Sequence, residues 1–187
     1  MAEVYVGVKF QTVFIGRSPP VDPRLGELEE WCHTLARWGV VGQTVGNLSF
    51  RTATGFIISR TAADLATITA DEFVEVVEAD VPGRKLTVIG AYEPSSESLM
   101  HVTIYQARPE VMAVFHGHSE KLLAAADQLH IPVTEQERPY GTPELSAEIL
   151  KMLAWHNLFI MRGHGFVSLG RTMSEATRWI EQALARV

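Results

Sequence analysis

The sequence has a single cysteine, Cys32, among 187 residues. One thiol cannot close an internal disulfide, which excludes a small secreted scaffold stapled by bridges. No apolar run comes near the roughly 20 residues that would span a bilayer. The opening stretch MAEVYVGVKFQTVF also lacks the basic start and apolar block of a signal peptide. Positive charge is in deficit: 16 Lys and Arg stand against 22 Asp and Glu, a net charge of −6. Non-specific nucleic-acid binding needs a basic footprint, and this composition supplies none. There is no repeat, low-complexity tract or linker. These absences lead us to expect a cytoplasmic protein of one domain over residues 1–187, with neither membrane nor nucleic acid as partner. Its 47% hydrophobic content is enough for a full core.

The patterns that are present alternate between strand and helix. Val4 to Ile15 reads as one or two strands and stops at Ser18-Pro19-Pro20, so residues 1–20 form a strand extension of unassigned role. Asp22 is placed to cap a helix with Pro23 at its first position. Leu25, Leu28, Trp31, Leu35 and Trp38 then recur at helical steps, and Gly39 and Gly42 close the helix. Strands are expected at Leu48–Arg51, Gly55–Ser59, Phe73–Val77 and Leu86–Tyr92, the last two joined by a Pro82-Gly83 turn as an antiparallel pair. A helix over Ser98–Arg108 ends at Pro109. It is followed by a buried strand at Met112–His116 and a helix at Glu120–Leu129. Thr142 caps a helix that opens with Pro143 and runs to about Trp155. Strands at Leu158–Met161 and Phe166–Leu169 flank Gly163-His164-Gly165. The last helix starts at Thr172 with Glu175 three residues on, the spacing of a capping box. Trp31, Trp38, Trp155 and Trp179 sit at helical positions and read as core. Short connections between strands point to an α/β domain with a mixed or largely antiparallel sheet.

Chemistry concentrates in three of the seven histidines. Residues i and i+2 of a strand share a face, so His116 and His118 present two imidazoles side by side. His164 lies between two glycines, which let a ligand or metal approach the backbone closely. Together they can form a three-histidine site with an open coordination position, the arrangement of a catalytic rather than a structural zinc.

Read with their surroundings, these residues resemble the class II aldolase/adducin family over about residues 25 to 186. The blocks that carry the resemblance occur in the family's order. They are Gly46-Asn47-Leu48-Ser49-Phe50-Arg51, then Pro94-Ser95-Ser96-Glu97, then His101 with Tyr105 to Pro109. After these come Ala113 to His118, Gly141-Thr142-Pro143-Glu144-Leu145, and Gly163-His164-Gly165 followed by Glu175-Ala176. The resemblance implies a three-layer α/β/α sandwich around a mainly antiparallel sheet, assembled as a homotetramer. It implies Zn²⁺ or another divalent cation on His116, His118 and His164, with Glu97 as acid/base. It also implies a phosphate pocket built from Gly46, Asn47, Thr61, Ser95 and Ser96.

Three departures bear on the substrate. Ser59-Arg60-Thr61-Ala62 replaces a family stretch that ends in glycine, and Arg60 could bind a phosphate or a carboxylate in compensation. Between His118 and Gly141 the only tyrosine is Tyr140, at a position that matches a pocket aromatic rather than the family's proton donor. No tyrosine follows Glu175. The expected activity is a metal-dependent aldehyde-lyase, similar to fuculose-1-phosphate aldolase, acting on a small sugar phosphate or hydroxy acid. The alternatives are an epimerase, dehydratase or decarboxylase of the same family. A non-catalytic scaffold like the adducin head is disfavoured by the complete set of Glu97 and three histidines.

Overall fold

In a computed structural model, residues 7–187 are described, and the first residues of the expected Val4–Ile15 strand lie outside them. The elements run β1 (Gln11–Gly16), α1 (Leu25–Arg37), β2 (Asn47–Arg51), β3 (Phe56–Ser59), β4 (Phe73–Asp80), β5 (Lys85–Ile89), α2 (Ser98–Ala107) and β6 (Ala113–Gly117). They continue with α3 (Glu120–Ala124), α4 (Ala126–Leu129), α5 (Pro143–Leu153), β7 (Leu158–Met161), β8 (Gly165–Gly170) and α6 (Met173–Leu184), and a single 3₁₀ turn at Ala70–Glu72 precedes β4. The strands form one mixed sheet in the order β1-β5-β4-β3-β2-β6-β8-β7. Among the described strands only the β1–β5 pair is parallel. The other pairs are antiparallel, including β4 with β5 across the Pro82-Gly83 turn.

Period-two alternation sorts the strand side chains into two cores. Leu48 and Phe50 of β2, with Ala113 and Phe115 of β6, pack among Leu28, Leu35, Ile180 and Ala183 of α1 and α6. Val114 of β6 and Phe159 of β7 point the other way, against Leu99, Val102, Leu145 and Ile149 of α2 and α5. Each fully buried Leu, Ile or Phe contributes about 1.5–3 kcal/mol relative to exposure. No described helix is long and apolar enough to cross a membrane.

Helix ends follow local chemistry, with some differences from the sequence reading. The Asp22 carboxylate accepts the Arg24 N–H at 2.9 Å and pairs with the Arg24 guanidinium, so it shapes the turn before α1 instead of capping it. Gly39 (φ +72°) ends α1, with its N–H on the Ala36 carbonyl and the Val40 N–H on that of Leu35, the double bond of a Schellman stop. The expected Glu120–Leu129 helix breaks at Ala125 into α3 and α4. Thr172 caps α6 through the Glu175 N–H, but the Glu175 carboxylate reaches back to the Arg171 N–H instead of that of Thr172. Trp155 corrects the core reading: it lies beyond the end of α5, 85% exposed, one position off the inward stripe of Leu145, Ile149 and Leu153.

Candidate metal centre

The end of β6 and the start of β8, neighbouring strands near the β7 edge of the sheet, bring the three histidines together. His116 lies in β6 and His118 just beyond it, where the His118 N–H donates to the Val40 carbonyl at 2.8 Å. His164 sits in the β7–β8 turn, its N–H on the Met161 carbonyl at 3.0 Å. Because Gly117 pairs with Phe166 across the β6–β8 ladder, that turn ends beside His116. The ring centroids are 5.0, 5.1 and 4.8 Å apart, and one candidate ligand nitrogen from each ring lies within 4.8 Å of the others. Two glycines make the approach possible. A Cβ on Gly165 would lie 2.8 Å from both His116 Cε1 and His118 Cδ2. Gly46 has φ +85°, and a Cβ there would come within 2.7 Å of the His116 carbonyl oxygen.

Glu97, the residue before α2, reaches into this cluster. Its Oε1 is 2.8 Å from His164 Nε2 and its Oε2 is 3.1 Å from His116 Nε2. Asn47 Nδ2 donates to Oε2 at 2.7 Å, and the Glu97 N–H donates to Ser95 Oγ at 3.3 Å. Burial pushes the carboxyl up, but the two imidazoles outweigh it and hold Glu97 well below the usual carboxylate range. Burial, reinforced by the neighbouring His116 and His164, takes His118 down to about 3, so its ring is neutral, the form that binds metals. His116 Nδ1–H donates to the Phe166 carbonyl at 2.7 Å, which turns its Nε2 lone pair inward, 3.1 Å from His118 Nε2. Facing imidazole nitrogens beside a carboxylate are placed to hold a cation between them. Nitrogen with carboxylate oxygen is a donor set that zinc and similar divalent ions accept.

The remaining expected residues fall into two groups. Gly46, Asn47, Ser95 and Ser96 lie next to the centre, with Ser95 and Ser96 buried. Thr61 is in the loop after β3, brought alongside by hydrogen bonds from Ser95 N–H to Ser59 O and from Thr61 N–H to Glu93 O. The Asn47 side chain is engaged at both ends, since Oδ1 also accepts from His101 at 2.5 Å. Arg60 is turned elsewhere: Glu72 holds its guanidinium at 2.7–2.8 Å, and Nη1 donates to the Thr61 carbonyl. The Tyr140 hydroxyl donates to the Gly7 carbonyl at 3.0 Å, and the Lys9 ammonium lies 3.6 Å over its ring, which directs this phenol toward the N-terminal segment. Ala62 adopts φ +52°, the left-handed backbone for which the family's glycine is suited. His101, which the sequence places only within a motif block, bonds Asn47 and Ser49, and Asn47 connects it to Glu97.

The sequence model of the family "Class II Aldolase and Adducin N-terminal domain" matches residues 26–185. The methylthioribulose-1-phosphate dehydratase of Yersinia enterocolitica serotype O:8 / biotype 1B is 27% identical over a 190-residue alignment, covering 84% of this chain and 86% of that protein. The 5-methylthioribulose-1-phosphate/5-deoxyribulose-1-phosphate aldolase of Escherichia coli O45:K1 is 29% identical over 164 residues, covering 80% and 74%. Among solved structures, an L-fuculose 1-phosphate aldolase superposes with a TM-score of 0.74 at 22% identity, covering 89% of this chain and 85% of that one, a likeness of fold.

Proposed function

Because the chain belongs to the class II aldolase and adducin family, we propose that it is a divalent-metal-dependent lyase that removes water from a small phosphorylated ketose. The specific reaction proposed is the one named for its dehydratase relatives, on methylthioribulose-1-phosphate or a close analogue. The expected aldehyde-lyase thus gives way to a hydro-lyase. The family's divalent-metal dependence meets a fitting donor set here, and the two cores flanking the sheet support the three-layer α/β/α reading.

A divalent ion held by His116, His118 and His164 would act as a Lewis acid on the ketone and the adjacent hydroxyl, spreading the charge left when a proton departs. The chain's own contribution centres on Glu97. Its carboxylate is buried, ionised and oriented by Asn47, so it can take the proton from the carbon beside the ketone. The hydroxyl on the next carbon then leaves with that proton as water, and the enol that remains becomes a second ketone. One carboxyl group can serve both proton transfers.

The observation that carries this reading is Glu97 within 3.1 Å of two of the three histidines. The tyrosines support it too. Tyr105 is buried beneath Ser49, Tyr140 bonds Gly7, and Tyr92 faces Arg60, so none of these three is turned to the centre as the separate donor that carbon–carbon cleavage calls for. The aldolase reading stays as the second one, because a relative of similar identity bears that name. A homotetramer and a phosphate pocket on Gly46, Asn47, Thr61, Ser95 and Ser96 belong to the same proposal. The test is to incubate metal-loaded protein with methylthioribulose-1-phosphate and analyse products by mass. A product lighter by one water, with no trappable aldehyde, is expected. Aldehyde release would establish the aldolase instead, and turnover of neither kind would sink both.

A further inference from the structure

Between β2 and α2 the protein buries a polar seam. β2 presents Asn47, Ser49 and Arg51 at two-residue steps, and α2 with its N-cap presents Glu97, His101 and Tyr105 at four-residue steps. Two strand residues advance about 6.6 Å and four helical residues about 6 Å, so the two rows stay in step over three rungs. Tyr105 Oη lies 2.8 Å from Ser49 Oγ, and Ser49 Oγ lies 2.7 Å from His101 Nδ1. His101 Nε2 is 2.5 Å from Asn47 Oδ1, and Asn47 Nδ2 is 2.7 Å from Glu97. At the far end Arg51 donates to the Tyr105 carbonyl at 2.6 Å and covers its ring at 4.6 Å. Phe56 stacks on His101, which is fully buried, as is Ser49.

The hydrogen-bond directions follow one from the next. A carboxylate only accepts, so Asn47 must turn its Nδ2 toward Glu97 and its Oδ1 toward His101. His101 Nε2 therefore carries the hydrogen. Burial holds this ring neutral, down to about 3, so Nδ1 is an acceptor and takes the Ser49 hydroxyl hydrogen. The Ser49 oxygen is then free to accept from the phenol of Tyr105, which burial keeps protonated. The Ser49 hydroxyl also lies 3.5 Å from the Val114 carbonyl, and the much shorter 2.7 Å contact to His101 Nδ1 is the one that takes its hydrogen. A reversed Asn47 amide would set its oxygen against the carboxylate and its N–H₂ against the imidazole N–H.

We propose that His101 is a positioning residue: by donating from Nε2 to Asn47 Oδ1 it locks the amide orientation that holds Glu97 against the histidine cluster, while the Ser49 hydroxyl occupies its Nδ1. The catalytic part of this assignment rests on the function proposed above, whereas the tautomer and amide orientation stand apart from it.

The experiment therefore has two arms. In ¹⁵N-histidine spectra of the whole protein, His101 is expected as a single neutral Nε2–H tautomer. The Asn47 side-chain amide protons should be protected from exchange in the wild type and lose protection in His101→Leu. In Tyr105→Phe, which deletes only the hydroxyl, the single Nε2–H tautomer should persist, because Asn47 Oδ1 still faces that nitrogen. An Nδ1–H tautomer, an imidazolium, or unchanged Asn47 protection in His101→Leu would overturn the proposal.

On methylthioribulose-1-phosphate, His101→Leu is expected to lower kcat by roughly 10–100-fold, with KM and metal content near wild type. His101→Gln keeps a side-chain N–H donor and should recover most of that loss. In an Asn47→Ala background, His101→Leu should add little. Independent, multiplicative losses, or a kcat loss in step with lost metal, would overturn the positioning role. A wild type inactive on this substrate would count against the proposed function, leaving the spectra to decide the tautomer and amide orientation.

Discussion

Gly165→Ala adds one methyl group where the histidine cluster has no room for it. Its Cβ would lie 2.8 Å from His116 Cε1 and His118 Cδ2, and 2.5 Å from the Gly117 carbonyl oxygen. Carbon–carbon contacts settle at about 3.5–4.0 Å, so each ring would have to retreat by at least roughly 0.7 Å. His116 cannot swing freely, because its Nδ1–H is fixed to the Phe166 carbonyl at 2.7 Å. Cε1 adjoins the Nε2 that faces the cluster, so that nitrogen moves with it. Overpacking of this size costs about 1–3 kcal/mol of stability. A ligand held out of place by the same movement should lose about 10–100-fold in metal affinity. Chelator competition for zinc measures the second effect, and denaturant unfolding of the metal-free protein measures the first. A variant that binds zinc as tightly as wild type and unfolds at the same denaturant concentration would refute the packing argument.

Two further predictions come from pH and backbone strain. His101 is held neutral, its folded value about 3 against an ordinary 6.5, so the unfolded chain binds its proton first. The stability this ring contributes to the metal-free protein is therefore complete above about pH 6.5 and is lost as pH drops, with a slope of up to about 1.4 kcal/mol per pH unit. Urea unfolding of His101→Gln between pH 7 and 5 should show a correspondingly shallower slope, and an unchanged slope would contradict this. Ala62 sits at φ +52°, which costs about 1–2 kcal/mol for a residue with a Cβ. Set against the roughly 0.4–1 kcal/mol that glycine's extra freedom costs, Ala62→Gly should stabilise by up to about 1.6 kcal/mol, read as a raised Tm. A lowered Tm would refute it.

The histidine triad was legible in the sequence because each part depends on local order. His116 and His118 are two residues apart on one strand, and His164 lies in a glycine-flanked hairpin turn. The helices with clear caps, α5 after Thr142 and α6 after Thr172, were legible for the same reason. The polar seam was not. In β2 the apolar Leu48 and Phe50 alternate with Asn47, Ser49 and Arg51, a pattern that ordinarily marks one face in water. Here the polar face is covered by α2, and about 50 residues separate the partners. Nothing local announces that contact. The phosphate residues were read from resemblance, and resemblance could not foresee that Glu72 holds Arg60 or that Asn47 turns its amide to Glu97. Trp155 was misplaced because helical spacing was carried past the end of α5, where it no longer governs direction.

The central claim is that three histidines hold the ion while Glu97 moves the proton, and metal content measured beside turnover separates those roles. In dialysed protein assayed on methylthioribulose-1-phosphate, the wild type should hold one divalent ion per chain, and His116→Ala, His118→Ala and His164→Ala should each lose most of it together with activity. Glu97→Gln should keep the ion and the fold while turnover falls by roughly 10²–10⁴. Metal retained through all three histidine variants, or turnover unchanged in Glu97→Gln, would contradict the account.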